Sequence, residues 1–169
     1  MKPEQFFEYI AWTDGACQPN PGNGGWGAII KHHGKETVLQ GSDPNATNNT
    51  MEMTAALEAM RYVPDGGRIL IYADSKYVIK GATQWMPAWK RHGWKRGKNM
   101  QEDVKNADLW RSIDKEMSRI HVHWRWVRGH SGDVMNDRVD AIAVGARMDI
   151  TYAPIVDIGE QHMRSICRE

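Results

Sequence analysis

FFEYIAWTDG, residues 6–15, decides the fold. Aromatic and β-branched residues fill it and a turn cluster follows, which predicts a β-strand. It is apolar almost throughout, as a central strand covered on both faces should be. It stops on Asp14, and a carboxylate at the carboxyl end of a central strand lies where open α/β sheets keep their ligands. The plainer alternative is that Asp14 only opens the following turn, a common role for Asp.

Outward from this strand, CQPNPGNGGWG (17–27) is turn-rich and contains Gly22-x-Gly24-x-x-Gly27. A dinucleotide-binding turn of that spacing should open a helix. Here it leads into WGAIIKH, so the glycines serve a tight turn and a close backbone approach. Residues 26–31 and 36–41 read as strands joined by His33-Gly34-Lys35, and with the first strand they predict an antiparallel meander. His32 and His33, at its turn, read as solvated.

A polar loop over 45–50 precedes a helix over 50–63, stopped by Pro64-Asp65-Gly66. RILIYAD (68–74) is a buried-strand pattern that again ends on an acid, Asp74. The intervening helix predicts that it lies parallel to the first strand. SKYVIKG (75–81) reads as a helix closed by Gly81. Val104, Ala107, Trp110, Ile113 and Met117 predict an amphipathic helix over 103–120. HVHWRWV (121–127) alternates as a strand. His130 lies in a loop, a last helix spans 134–148, and residues 151–169 read as a tail on the surface. We expect one domain over 1–150.

The 169 residues suffice for one domain with a real core. No stretch approaches the ~20 apolar residues of a membrane span. No secretory signal is evident, and two cysteines are too few for a disulfide framework or a four-ligand zinc site. A cytoplasmic monomer is the expectation. Net charge is +1, but residues 80–105 hold seven Lys/Arg against two acids, which suggests a polyanionic partner. Trp85, Trp89 and Trp94 lie among those cations. Trp85 and Trp89, four residues apart, could equally be helix packing.

Asp14 and Asp74 at the ends of parallel neighbours place two carboxylates side by side, which is costly unless a cation joins them. Glu52 lies in the first turn of a helix, where Asn49 and Glu52 could instead form a capping box. Asp140 shares a helix face with Asn136, and could be a solvated first-turn acid favoured by the helix dipole. Oxygen ligands without cysteine or clustered histidine favour magnesium, with manganese as a substitute, over zinc. Two such ions make a phosphodiester-cleaving site.

With these residues in place, the chain resembles bacterial type 1 ribonuclease H. The resembling segments, in family order, are TDGACQPNPGNGGWGAI (13–29), TNNTMEM (47–53), ADSKYVIKG (73–81), TQWMPAWKRHGWK (83–95), ADLW (107–110) and WVRGHSGDVMNDRVDAIA (126–143). The resemblance implies a ribonuclease H-like α/β fold, a five-stranded mixed sheet in order 3-2-1-4-5 flanked by helices. It implies endonucleolytic cleavage of the RNA strand of an RNA/DNA hybrid, leaving 5′-phosphate and 3′-hydroxyl ends. Asp14, Glu52, Asp74 and Asp140 match the family's metal-binding carboxylates and His130 its mobile histidine. Cys17, Asn20, Asn48, Asn49, Lys76 and Asn136 fall where the family contacts substrate or supports the site, and Thr47 at a DNA-phosphate pocket. Trp85, Trp89, Lys90, Arg91, Trp94, Lys95 and Arg96 match its basic protrusion.

The implied mechanism uses two Mg²⁺ ions with substrate bound, Asp14 bridging them. Thr50 departs from the Arg or Gln expected there and Met53 from Leu, and Lys76 stands where Gln is also common; these bear on affinity and packing rather than chemistry. A non-catalytic binding module on this fold should have lost an acid, and all four are present. A nuclease acting on DNA alone is disfavoured by the basic tryptophan segment.

Overall fold

The computed structural model describes residues 2, 5–129 and 132–149. Strands β1 (Tyr9–Cys17), β2 (Gly22–His32) and β3 (Lys35–Ala46) lead into helix α1 (Asn48–Tyr62) and strand β4 (Arg68–Ala73). Helix α2 (Lys76–Lys80) follows, then a π-helical turn over Gly81–Trp85 and helix α3 (Met86–Arg91). A two-residue ribbon, β5 (Lys95–Arg96) and β6 (Glu102–Asp103), precedes helix α4 (Ala107–Arg119), strand β7 (His121–Trp126) and helix α5 (Val134–Arg147). The main sheet has five strands in order β3-β2-β1-β4-β7. The first three pair antiparallel, and β1–β4 and β4–β7 are parallel. This is the expected order, the fifth strand of the sheet being β7. Among the described residues no helix is long and apolar enough to cross a membrane.

Strand alternation sorts the core. Tyr9, Ala11, Ala28, Ile30, Ile69 and Ile71 face α1 and α4, meeting Met53, Leu57, Met60, Trp110 and Ile113. On the opposite face Ile29 packs with Val139 and Ile142 of α5, and Trp12 lies against them. Each fully buried side chain of this size contributes about 1.5–3 kcal/mol through water exclusion. Arg119 of α4 donates to the carbonyls of Met60 (3.0 Å) and Val63 (2.6 Å), so it satisfies the last turn of α1.

Three expectations are corrected and one open alternative is decided. β1 does not stop at Asp14: it continues to Cys17, because β2 starts at Gly22 and its glycines pair with it. Those glycines also let α5 approach, since a Cβ on Gly27 would lie 2.5 Å from Ile142 Cγ2. Gly81 does not close α2. Its backbone is right-handed helical, and with no Cβ it accepts the Trp110 ring, so the helix runs on to Arg91. The cap of α1 is Thr47, whose side chain accepts from the Thr50 N–H while Thr50 Oγ1 accepts from the Thr47 N–H. Glu52 is therefore no part of a capping box, and Thr50 has a local reason to be there. His32 is not simply solvated: its ring stacks on Tyr9 at 4.1 Å, and Nδ1 lies 2.8 Å from the Glu8 carbonyl oxygen. The predicted turn is made by His33 and Gly34, both at positive φ, as a two-residue hairpin requires.

Candidate active site

The parallel pairing of β1 and β4 ends at Thr13 opposite Ala73. The next residue on each strand is an acid, Asp14 and Asp74. Alternation turns Asp14 toward α5 and Gly15 toward α1. The absence of a side chain on Gly15 lets the first turns of α1 touch the strand: a Cβ there would overlap the Glu52 amide nitrogen. Glu52 is so delivered to Asp14. One carboxylate oxygen each from Asp14, Glu52 and Asp74 lies within 4.8 Å of the other two. Asp140, half-buried on α5, acts on this group from the opposite side of the sheet, holding the Asp14 and Asp74 carboxyls further up.

The electrostatics of this cluster are adverse without a cation. Burial pushes the Asp14 carboxyl up to about 8; a hydrogen bond with Glu52 opposes this, while the charge of Asp74 and a hydrogen bond with Asp140 add to it. The Gly15 N–H, donating to Asp14 Oδ1 at 2.8 Å, opposes the shift. Glu52 is held well above the carboxylate range by burial first and by Asp14 second, and Asp74 is raised, again mainly by burial. Glu52 Oε2 is buried and has no hydrogen-bond partner. A buried carboxylate oxygen left without a donor, beside two further carboxylates, is the environment a divalent cation satisfies. The donors are all oxygen, which fits magnesium or manganese.

Around the N-terminus of α1 the predicted contact residues form a ring. Asn48 Oδ1 accepts from the Cys17 N–H at 2.9 Å, and Asn20 Oδ1 accepts from the Asn48 N–H at 3.2 Å. Cys17 is buried, its thiol donating toward the Pro19 and Ala46 carbonyls, so it supports the ring from beneath. Thr47 is half-engaged in the cap, while Asn20 and Asn48 are exposed. Asn136 is buried in the first turn of α5, which Asp133 caps through the Asn136 N–H. Lys76 is exposed at the start of α2. His130 lies outside the described residues, as does the tail.

The basic segment begins at the far end of the helical run 76–91 and continues beyond it, but it is not all free charge. Lys90 pairs with Asp114 at 3.0 Å, Lys95 with Asp103, and Arg96 with Glu102 at 3.8 Å. Trp85 and Trp89 pack on each other at 5.8 Å, and Trp89 on Trp110 at 5.4 Å, so the helix-packing alternative holds for this pair. Trp94 carries Arg111 over its ring at 5.5 Å. With Tyr77, Arg96, Val104 and Lys105, Trp85 and Trp89 still line an open pocket of about 430 Å³.

The sequence reading missed three residues that shape the cluster: Gly15, Gly129 and Trp126. A Cβ on Gly129 would lie 2.9 Å from Asp74 Oδ2. The Trp126 indole N–H donates to the Asp74 carbonyl at 3.0 Å. The usable signal for Trp126 is register, for it ends the strand beside Ala73.

The RNase H family model matches residues 7–147. The chain is 46% identical to the Ribonuclease H of Pseudomonas paraeruginosa (strain DSM 24068 / PA7) over 136 residues, 80% of this chain and 90% of that one. It is 48% identical to the Ribonuclease H of Alkalilimnicola ehrlichii over 133 residues, 79% and 90% of the two chains. Among solved structures it is similar to LC9-RNase H1, a type 1 RNase H with the type 2 active-site motif. The TM-score is 0.76 at 27% identity, over 90% of this chain and 79% of that one.

Proposed function

The chain belongs to the RNase H family of enzymes, and on that footing we propose that it cuts the RNA strand of RNA/DNA hybrids internally, leaving 5′-phosphate and 3′-hydroxyl ends. The observation that carries this reading is the Asp14–Glu52–Asp74 cluster with its unpartnered buried Glu52 oxygen. Asp14, Glu52, Asp74 and Asp140 would hold divalent cations, Mg²⁺ in the cell with Mn²⁺ able to substitute, two of them with substrate bound. Bound there, such ions supply Lewis-acid stabilisation of the phosphate charge and a water of lowered pKa.

The chain's own residues set the stage. Asp14 and Asp74 are fixed by the two parallel strands, and Glu52 by the contact of α1 on Gly15, so the acceptors are preorganised before substrate arrives. Glu52 is half-buried, with its Oε2 out of contact with water. His130, which follows Gly129 in the sequence, handles protons or product release in this reading. Asn20, Asn48 and Asn49, with Lys76 and Asn136, offer donors and acceptors to sugar and phosphate. RNA is distinguished from DNA by its 2′-hydroxyls. Thr47 takes a phosphate of the DNA strand, and the segment from Trp85 to Arg96 grips backbone. Contacts of that kind position the duplex and carry little sequence information.

The test uses one end-labelled duplex as RNA/DNA, DNA/DNA, RNA/RNA and single-stranded RNA, each with Mg²⁺, with and without a chelator. Internal cutting of RNA in the hybrid alone, abolished by the chelator, is expected. Cutting of DNA, or tight hybrid binding with no cutting, would overturn the reading.

A further inference from the structure

Trp126 is 48% exposed at the edge of the sheet that carries the acids. It makes two polar contacts at once. Its indole N–H donates to the Asp74 carbonyl at 3.0 Å, and its ring carries the Lys76 ammonium at 4.7 Å. Both partners follow directly from β4, whose last residue, Ala73, is registered with Trp126 itself.

Lys76 is the first residue of α2, which has no acid in its first turn. A cation there opposes the dipole of the helix that runs on to Arg91. The helix gains nothing from it, so its value lies elsewhere. Lys76 also stands two residues from Asp74, and a long, mobile ammonium so close to three carboxylates could compete with a metal ion for them. Among the described residues Lys76 makes no ion pair with any acid; its ammonium rests on the Trp126 face instead.

We propose that Trp126 is a positioning residue with two separable roles: its N–H fixes the main chain that bears Asp74, and its ring parks the Lys76 ammonium off the carboxylates, where it meets a backbone phosphate of the substrate. This rests on the functional reading above, and it names the residue that sets how Lys76 is used. The two contacts use different parts of one side chain, so substitutions can separate them. Trp126→Phe removes the N–H and keeps an aromatic face. Lys76→Met removes the cation and keeps the N–H. Trp126→Leu removes both.

The experiment measures Mn²⁺-induced thermal stabilisation of each variant, and kcat and KM on an RNA/DNA hybrid at several salt concentrations. For Trp126→Phe we expect Mn²⁺ affinity to fall roughly two- to tenfold, the yield of one hydrogen bond, with the salt slope of KM kept. For Lys76→Met we expect unchanged Mn²⁺ affinity, and a salt slope shallower by about one phosphate contact. Trp126→Leu should show both effects, and adding Lys76→Met to it should change KM no further, because the cation has already lost its seat. Unchanged Mn²⁺ affinity in Trp126→Phe, or additive KM effects of Trp126→Leu and Lys76→Met, would overturn the proposal. Should Trp126→Leu not fold, the two milder variants decide it by the same readouts. The Mn²⁺ arm is read without turnover, so failure of the wild type to cut hybrids would count against the functional reading and not against this one.

Discussion

Gly15 and Glu52 meet main chain to main chain, and no side chain fits between them. A Cβ on Gly15 would also lie 2.5 Å from the Met51 carbonyl carbon. Backbone atoms cannot swing aside as a flexible side chain can. Gly15→Ala should therefore lift the start of α1 from β1, costing about 1–3 kcal/mol of stability. It should also weaken divalent-cation binding by drawing Glu52 away from Asp14. Chemical denaturation and a Mn²⁺ titration check both, and a variant with wild-type stability would contradict the packing described.

Asp14 links stability to pH, with a definite sign. Unfolded, its carboxyl titrates near the ordinary value of about 4; folded, it is pushed up to about 8, chiefly by burial. Between those values the native state keeps a proton that the unfolded chain has lost, so the metal-free protein loses stability as pH rises. Asp14→Asn removes that group. In chelator, it should raise Tm relative to wild type at pH 7.5, and the gain should shrink toward zero by pH 4. A gain that grew toward acid would reverse the argument.

Divalent cations should act in the opposite sense. They bind deprotonated carboxylates, so binding releases protons held by Asp14, Glu52 and Asp74. The Tm increase caused by saturating Mg²⁺ should be small at pH 5.5 and larger at pH 8. Glu52→Gln should remove most of it. A pH-independent increase would place the ion elsewhere.

The cations of the basic segment should not contribute equally. Lys90 is paired with Asp114, while Arg91 makes no ion pair among the described residues. Arg91→Ala should reduce the salt slope of hybrid binding by about one, Lys90→Ala by less, and Asp114→Asn should tighten binding. Equal slopes for the two alanine variants would show that the ion pair opens on binding.

Much of this was legible from residue types. Val, Ile and aromatic runs that end on acids located β1 and β4, and parallel pairing followed from the helix between them. The convergence of Asp14 and Asp74 came with that topology. What escaped the sequence depends on partners far along the chain. β1 outruns Asp14 because the glycines of β2 can pair with it, and Gly81 stays helical because Trp110 occupies the space a Cβ would need. The cap of α1 stayed open in the sequence because Asn49 and Glu52 have the spacing of a capping box; Thr47 and Thr50 compete for the same role and win by position. Glu52 reached the site by a glycine contact that no local pattern reveals.

The unbroken helix from residue 76 to 91 gives the molecule a gauge. Sixteen residues at ~1.5 Å each span about 24 Å, stiffened by the packing of its π-helical turn against Trp110. One end starts beside Asp74 and the other presents Arg91. If the protein cuts hybrids as proposed, this helix would set the interval between the acids and Arg91, and a duplex too short to reach along it would lose the Arg91 contact while still meeting the acids. On the proposed function, the length of a hybrid, and not only its chemistry, would decide how firmly this protein holds it.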